Sequence, residues 1–193
     1  MEIDIQDVDM HHNDVWTLFP GRKRDQRDFV FKASKEGYLI TSNGMPMDPT
    51  GLWNVDSKDF SHITEIPVGS RLKAVVSVNP TRRVRKPNGK KTDVEIIQDY
   101  INQHQGIPIS EWDTPEQIFQ AWFTENEERW GFTIESFSVS KKRIIRMDKY
   151  KIVSYELSMV IVIVDSGKFV QTVLKGIGDR NDRGFGMLML KRA

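Results

Sequence analysis

The sequence predicts an α+β fold of two tandem ferredoxin-like (RRM-like) domains, and three patterns predict it. In the second half, segments of helical and strand period follow as helix, strand, strand, helix, strand, the order of that sandwich with its first strand missing. In the first half a helix-like stretch and several alternating stretches read as a decayed copy. Between them, Pro80 to Lys91 is basic and contains Pro87-Asn88-Gly89, a composition that marks a surface linker. The expected division is a first domain over residues 1–80, a linker over 81–91 holding the missing strand, and a second domain over 92–193.

Ile3, Ile5 and Val8 alternate as a short half-buried strand. Val15, Leu18 and Phe19 fall at i, i+3 and i+4, and Pro20-Gly21 stops the helix they imply. His11 and His12 then sit in its first turn. The stretches RDFVFKAS and GYLITSN alternate as a hairpin around Lys35-Glu36-Gly37, and RLKAVVSVNP puts Leu72, Ala74, Val76 and Val78 on one face. Gly44 to Gly69, rich in Pro, Gly and Asp, receives no element. Thr92 and Glu95 form a capping box ahead of Ile96, Ile97, Tyr100 and Ile101. Thr114, Pro115 and Gln117 repeat the device before Ile118, Phe119, Trp122 and Phe123. Two long strand-like segments meet near Asp148-Lys149, and the apolar run Met159 to Val164 suggests a central strand covered on both faces. A helix burying Phe169, Val170, Val173 and Leu174 ends at Gly176, and FGMLML is the last strand. Trp16, Trp122 and Trp130 read as core.

The net charge is +1, from 28 Lys and Arg against 27 Asp and Glu, yet the cations are clustered. They gather at Arg22, Lys23, Arg24 and Arg27, at Arg82, Arg83 and Arg85, and at Lys141, Lys142, Arg143, Arg146 and Lys149. One such cluster is ordinarily a solvated face; three together favour a polyanionic partner. The absence of cysteine excludes disulfides, thiolate zinc sites and thiol nucleophiles. Adjacent histidines do not readily chelate one ion, so neither metal nor other cofactor is expected. No run approaches the roughly 20 apolar residues of a spanning helix. With an acidic start unlike a signal peptide, a cytoplasmic protein without membrane contact is expected.

Three stretches, HHNDVWTLFPGRKRDQRDFVFK, GSRLKAVVSVNP and LKGIGDRNDRGFGMLML, resemble in order and spacing the E-subtype CRISPR repeat-processing endoribonucleases (CasE) of the RAMP superfamily. The shared features are a histidine four residues before Trp16, then Leu-Phe-Pro and Arg-Asp-Phe; a strand ending in Asn-Pro; and Gly-Ile-Gly, five residues, Gly-Phe-Gly-Met-Leu. The resemblance implies tandem ferredoxin-like domains that bind the stem-loop of a CRISPR repeat, cut pre-crRNA without metal, and stay bound to the mature crRNA as a subunit of Cascade. It puts the catalytic histidine at His12, as acid or base. It departs from the family in Asp9, where many relatives have tyrosine, and in Asn181, where many have lysine.

Gly178 and Gly184 permit close backbone approach to a phosphate while Arg180 and Arg183 supply charge; a tight turn is the plainer reading of the same glycines. The basic clusters are the remaining candidates for gripping RNA, which is recognised largely through shape and backbone. Two other functions compete: a non-catalytic crRNA-binding subunit of the same fold, and a ferredoxin-like enzyme holding a small phosphorylated ligand on the glycine loop.

Overall fold

The computed structural model describes residues 12–21, 27–34, 36–146 and 151–193, with the backbone alone at Arg146. A helical segment over residues 12–17, α1, leads to the antiparallel hairpin β1 (Phe29–Ser34) and β2 (Gly37–Ser42). Val15, Leu18 and Phe19 pack on Phe29 and Phe31 as one small core, so the i, i+3, i+4 stripe is buried as its period requires.

The main sheet has four strands: β3 (Arg71–Val78), β6 (Phe132–Arg146), β7 (Lys151–Ile163) and β8 (Met189–Arg192). Between β3 and β6 lie the strands β4 (Thr81–Arg85) and β5 (Lys91–Glu95) and the helices α2 (Ile96–Gln103), α3 (Pro115–Thr124) and α4 (Glu127–Trp130); α5 (Ser166–Lys175) joins β7 to β8. The spatial order is β6-β7-β3-β8, all antiparallel. Taking β3 as the first of the four, that is the ferredoxin-like order, with helices in both crossovers.

This topology corrects two expectations. The missing first strand is β3, which the expected division places in the first domain; it pairs instead along its whole length with β7. Residues 81–91 are not a linker either. Thr81–Arg85 pairs with Lys91–Glu95, and Lys86 N–H donates to Lys90 O at 2.8 Å across the Pro87-Asn88-Gly89 turn. Thr92 is consequently a strand residue, and Glu95 caps α2 by accepting from the N–H groups of Ile97 and Gln98. Two smaller differences concern coverage and length. Ser158 on the outer face of β7 is exposed and Val160 and Val162 half-buried, so that strand is fully covered on one face. The last strand begins at Met189, after a buried irregular stretch at Phe185, Met187 and Leu188.

The helix-facing side of the sheet, from Leu72, Ala74, Val76, Leu157, Met159 and Ile161, packs against Ile118, Phe119, Trp122, Phe123 and Phe169. At the start of α3, Thr114 Oγ1 accepts from Gln117 N–H at 3.3 Å and Gln117 Oε1 accepts from Thr114 N–H at 2.7 Å. Thr114→Ala is expected to cost about 1 kcal/mol, read as a lower urea midpoint at unchanged slope. Among the described residues no helix is long and apolar enough to cross a membrane.

Candidate active site

The loop from Gly176 to Gly186 ties the two halves of the protein together. Gly176 ends α5 with φ +78°, and Asn181 Nδ2 donates to Lys175 O at 2.8 Å. Asp179 N–H donates to Asn79 O at 3.0 Å and Gly186 N–H to Ser77 O at 2.7 Å, stitching the loop to the end of β3. Asn79 is itself buried, donating to Val153 O at 2.6 Å, which gives the Asn-Pro strand end a structural task. Gly184 rests against the ring of Phe31 in β1.

A 3-10 turn over Asn181–Arg183 then presents the Asp182 carbonyl to α1, where His12 Nδ1 lies 2.7 Å from that oxygen. A carbonyl can only accept, so Nδ1 carries the proton and Nε2 is the nitrogen left to take or give one. The ring is also held by Trp16, whose ring centroid is 6.3 Å away edge-on and whose other side meets Phe29 at 5.0 Å. The imidazole is therefore oriented from both halves of the chain, by Asp182 O at Nδ1 and by the Trp16 ring.

His12 opens into a cavity of about 840 Å³, also lined by Trp16, Arg27, Arg129, Trp130, Gln171, Thr172, Lys175, Asp182 and Arg183. Arg27 is half-buried, and burial pushes its guanidinium below the ordinary value against the opposing pull of Asp182. Arg183 lies 3.4 Å from the Asp182 carboxylate and Arg180 lies 3.6 Å from Asp179. Among the described residues that line it, four cations, Arg27, Arg129, Lys175 and Arg183, stand against one carboxylate, Asp182, a balance of charge that favours an anion.

Of the candidates read from sequence, His12, Arg27, Gly178 and Arg183 come together in this cavity, with Arg180 and Gly184 on the same loop. Gly178 and Gly184 turn the side where a Cβ would stand toward protein, Val78 with Asn79 and Phe31 respectively. Their glycine requirement is thus explained by packing, the plainer of the two readings, and the small-ligand alternative loses its main support. Arg82 is engaged by Glu125 at 2.5 Å and Asp99 at 3.4 Å, and Arg83 by Asp93 at 3.0 Å. Arg85 is exposed on β4. On β6 the cross-strand register puts Lys142 beside Tyr155 on the helix side, its ammonium 5.6 Å from the ring centroid, and Lys141 and Arg143 on the other face. Arg22, Lys23, Arg24 and Lys149, with His11 and Asp9, lie outside the described residues, as does the side chain of Arg146.

The sequence reading missed Arg129, Gln171 and Lys175, and placed Trp16 in the core although it is half-buried at the cavity. The available signal was Lys175, the last helical residue before the glycine loop. Among the described residues no group of three His, Asp or Glu side chains is placed to hold a metal ion.

A family model described as "CRISPR associated protein" matches residues 2–192. No curated protein sequence matches the chain. Among solved structures it is similar to the CRISPR-associated protein Cas6e from Escherichia coli K-12, at 20% identity over 98% of this chain and 94% of that one, with a TM-score of 0.62. It is similar to CRISPR endoribonuclease Cse3 bound to a 19-nucleotide RNA, at 15% identity over 95% and 87%, with a TM-score of 0.69. A chain of a CRISPR RNA-guided surveillance complex, in its pre-nicking form, matches at 17% identity over 96% and 90%, with a TM-score of 0.60. At these identities the likeness is one of fold, the tandem ferredoxin-like arrangement.

Proposed function

Because the chain belongs to the CRISPR-associated protein family, whose model spans nearly its whole length, we propose that it is a metal-independent endoribonuclease maturing CRISPR RNA. In this reading it binds the repeat stem-loop, cuts pre-crRNA once, and remains on the product as a Cascade subunit. The observation that carries the proposal is His12, fixed through Nδ1, with no partner for Nε2 among the described residues, lining a cavity rich in arginine and lysine. The solved relatives add support: one is an endoribonuclease with RNA bound and another sits in an RNA-guided complex.

The chemistry follows from those groups. The ribose 2′-hydroxyl attacks the adjacent phosphorus and loses its proton, the bond to the 5′-oxygen breaks, and that oxygen is protonated as it leaves. The products are a 2′,3′-cyclic phosphate and a 5′-hydroxyl. His12 Nε2 carries one of the two proton transfers, and Arg27 and Arg183 stabilise the charge that grows on the phosphorane oxygens. The stem is held by its backbone, with Lys141, Lys142 and Arg143 on β6 as grips, joined by the sequence candidates Arg146 and Lys149 and followed by Arg22, Lys23, Arg24, Arg85, Arg180 and the ion-paired Arg82 and Arg83.

The test is single-turnover cleavage of the host's own repeat RNA in EDTA. One cut near the base of the stem, leaving a cyclic phosphate, is the expected result; cleavage that needs added divalent metal overturns the mechanism. A second reading, a crRNA-binding subunit that does not cut, is favoured by Asn181, whose amide is occupied by the Lys175 carbonyl where relatives often have a lysine. Tight hairpin binding without any product would establish it.

A further inference from the structure

The turn that aims the Asp182 carbonyl at His12 runs between two left-handed residues, Arg180 at φ +58° and Gly184 at φ +86°. Arg183 N–H donates to Arg180 O at 2.9 Å across it. Among the described residues Arg180 alone takes a positive φ with a side chain attached, and strain of that kind persists only where surrounding contacts fix the chain. Asn181, the next residue, supplies such contacts.

Its side chain points back into a slot between two glycines. Asn181 Nδ2 donates to Lys175 O at 2.8 Å, the carbonyl of the last residue of α5, which a helix end leaves without a partner of its own. A Cβ on Gly176 would stand 3.1 Å from Nδ2, and a Cβ on Gly186 would collide with Oδ1. The walls of the slot are themselves anchored: Gly176 N–H donates to Thr172 O at 2.7 Å, Gly186 N–H to Ser77 O at 2.7 Å, and Ile177 N–H to Gly186 O at 3.0 Å. Asn181 Oδ1 is buried there and has no donor among the described residues. A buried acceptor left open is costly, and such exceptions gather where geometry serves function.

We infer that Asn181 is a positioning residue for His12: latched into the Gly176–Gly186 slot, it holds the neighbouring Asp182 carbonyl where that oxygen keeps the proton on His12 Nδ1 and leaves Nε2 as the working nitrogen. The protonated nitrogen of an imidazole is set by the hydrogen bond the ring makes, so a carbonyl that drifts releases the choice. The latch stands on the loop geometry, and its bearing on cleavage rests on the RNA-cutting reading. Misplacing a reacting group by about 1 Å can cost about 10²-fold in rate.

The experiment uses the full chain with isotope-labelled histidine, in buffer alkaline enough to keep imidazole neutral, where long-range proton–nitrogen spectra distinguish the two tautomers. Of the four histidines, His12 is identified by His12→Gln and should be in the Nδ1–H form in the wild type. The variants are Asn181→Ala and Asn181→Asp, the second keeping the size of the side chain while replacing the donor to Lys175 O by an acceptor. In both, His12 should shift toward the Nε2–H form. Single-turnover cleavage at saturating protein should fall about tenfold or more, while RNA affinity, spread over many phosphate contacts, stays within about threefold. His104 is the control: its Nδ1 lies 2.8 Å from Tyr100 O, outside the cavity, so its Nδ1–H signal should persist and report a folded chain. Where Asn181→Ala loses that signal, Asn181→Asp decides. His12 still in the Nδ1–H form in the folded variants overturns the latch, and slower cleavage with that tautomer kept makes Asn181 an RNA contact instead. A released tautomer with cleavage at the wild-type rate overturns its bearing on the reaction. A wild type that cuts no repeat RNA, with His12 released in the variants, removes the nuclease reading and keeps the latch.

Discussion

His12→Ala should lower single-turnover cleavage of the repeat RNA by about 10²–10⁴-fold, the usual worth of a positioned acid or base, while RNA affinity changes by no more than a few-fold. The two halves of that expectation have separate causes. Removing the imidazole deletes a proton carrier whose Nδ1 is pinned to Asp182 O at 2.7 Å, and among the described residues no second histidine lines the cavity to replace Nε2. Affinity, by contrast, comes from phosphate contacts spread over many cations, none of which His12 holds in place by a salt bridge. Free imidazole in the buffer should restore part of the lost rate by entering the vacated space beside Trp16. His11→Ala is the control in sequence, with cleavage expected near wild type. A His12→Ala protein that cuts within about threefold of wild type would remove His12 from the chemistry and leave the cavity with another proton carrier to be found.

What was legible beforehand depended on whether the signal was local. The Thr114 capping box, the buried stripe of α1 and the end of α5 at Gly176 were readable because each is a contact within a few residues. The main error was the placement of β3. Its alternation of Leu72, Ala74, Val76 and Val78 announced a strand, but nothing in an alternating strand says which distant strand it joins, and proximity in sequence favoured the wrong domain. The β4–β5 hairpin was missed for a related reason. Arg82, Arg83 and Arg85 gave it no apolar period, and its cross-strand support is the Arg83–Asp93 pair at 3.0 Å, which reads in sequence as mere charge. Around the site, motif resemblance pointed to His12 and the glycine loop. Arg129 and Lys175 escaped because a cation on a helix usually meets water, as these two also do, being exposed; they border the cavity only through the packing of α4 on α5.

Gly178→Ala should destabilise the fold by about 2–5 kcal/mol and disable cleavage beyond what that loss explains. Gly178 has φ +75°, and a Cβ there would collide with the Val78 side chain and stand 3.0 Å from Asn79 O. Left-handed backbone costs a residue with a side chain about 1–2 kcal/mol, and crowding a packed site about 1–3 more. Gly89→Ala separates the two contributions. Its φ is +78°, with nothing within 4 Å of the added carbon, so it should lose the backbone share alone, about 1–2 kcal/mol. The functional consequence arises because the strained loop has a mechanical role. To relieve the clash, residue 178 must withdraw from the end of β3. That withdrawal pulls on the Asp179–Asn79 hydrogen bond of 3.0 Å and, three residues on from it, on the Asp182 carbonyl that orients His12. In urea titrations and cleavage assays run at a temperature where both variants are folded, Gly178→Ala should cut at least tenfold more slowly than Gly89→Ala. Equal cleavage by the two would mean that the loop supports the fold without setting the histidine.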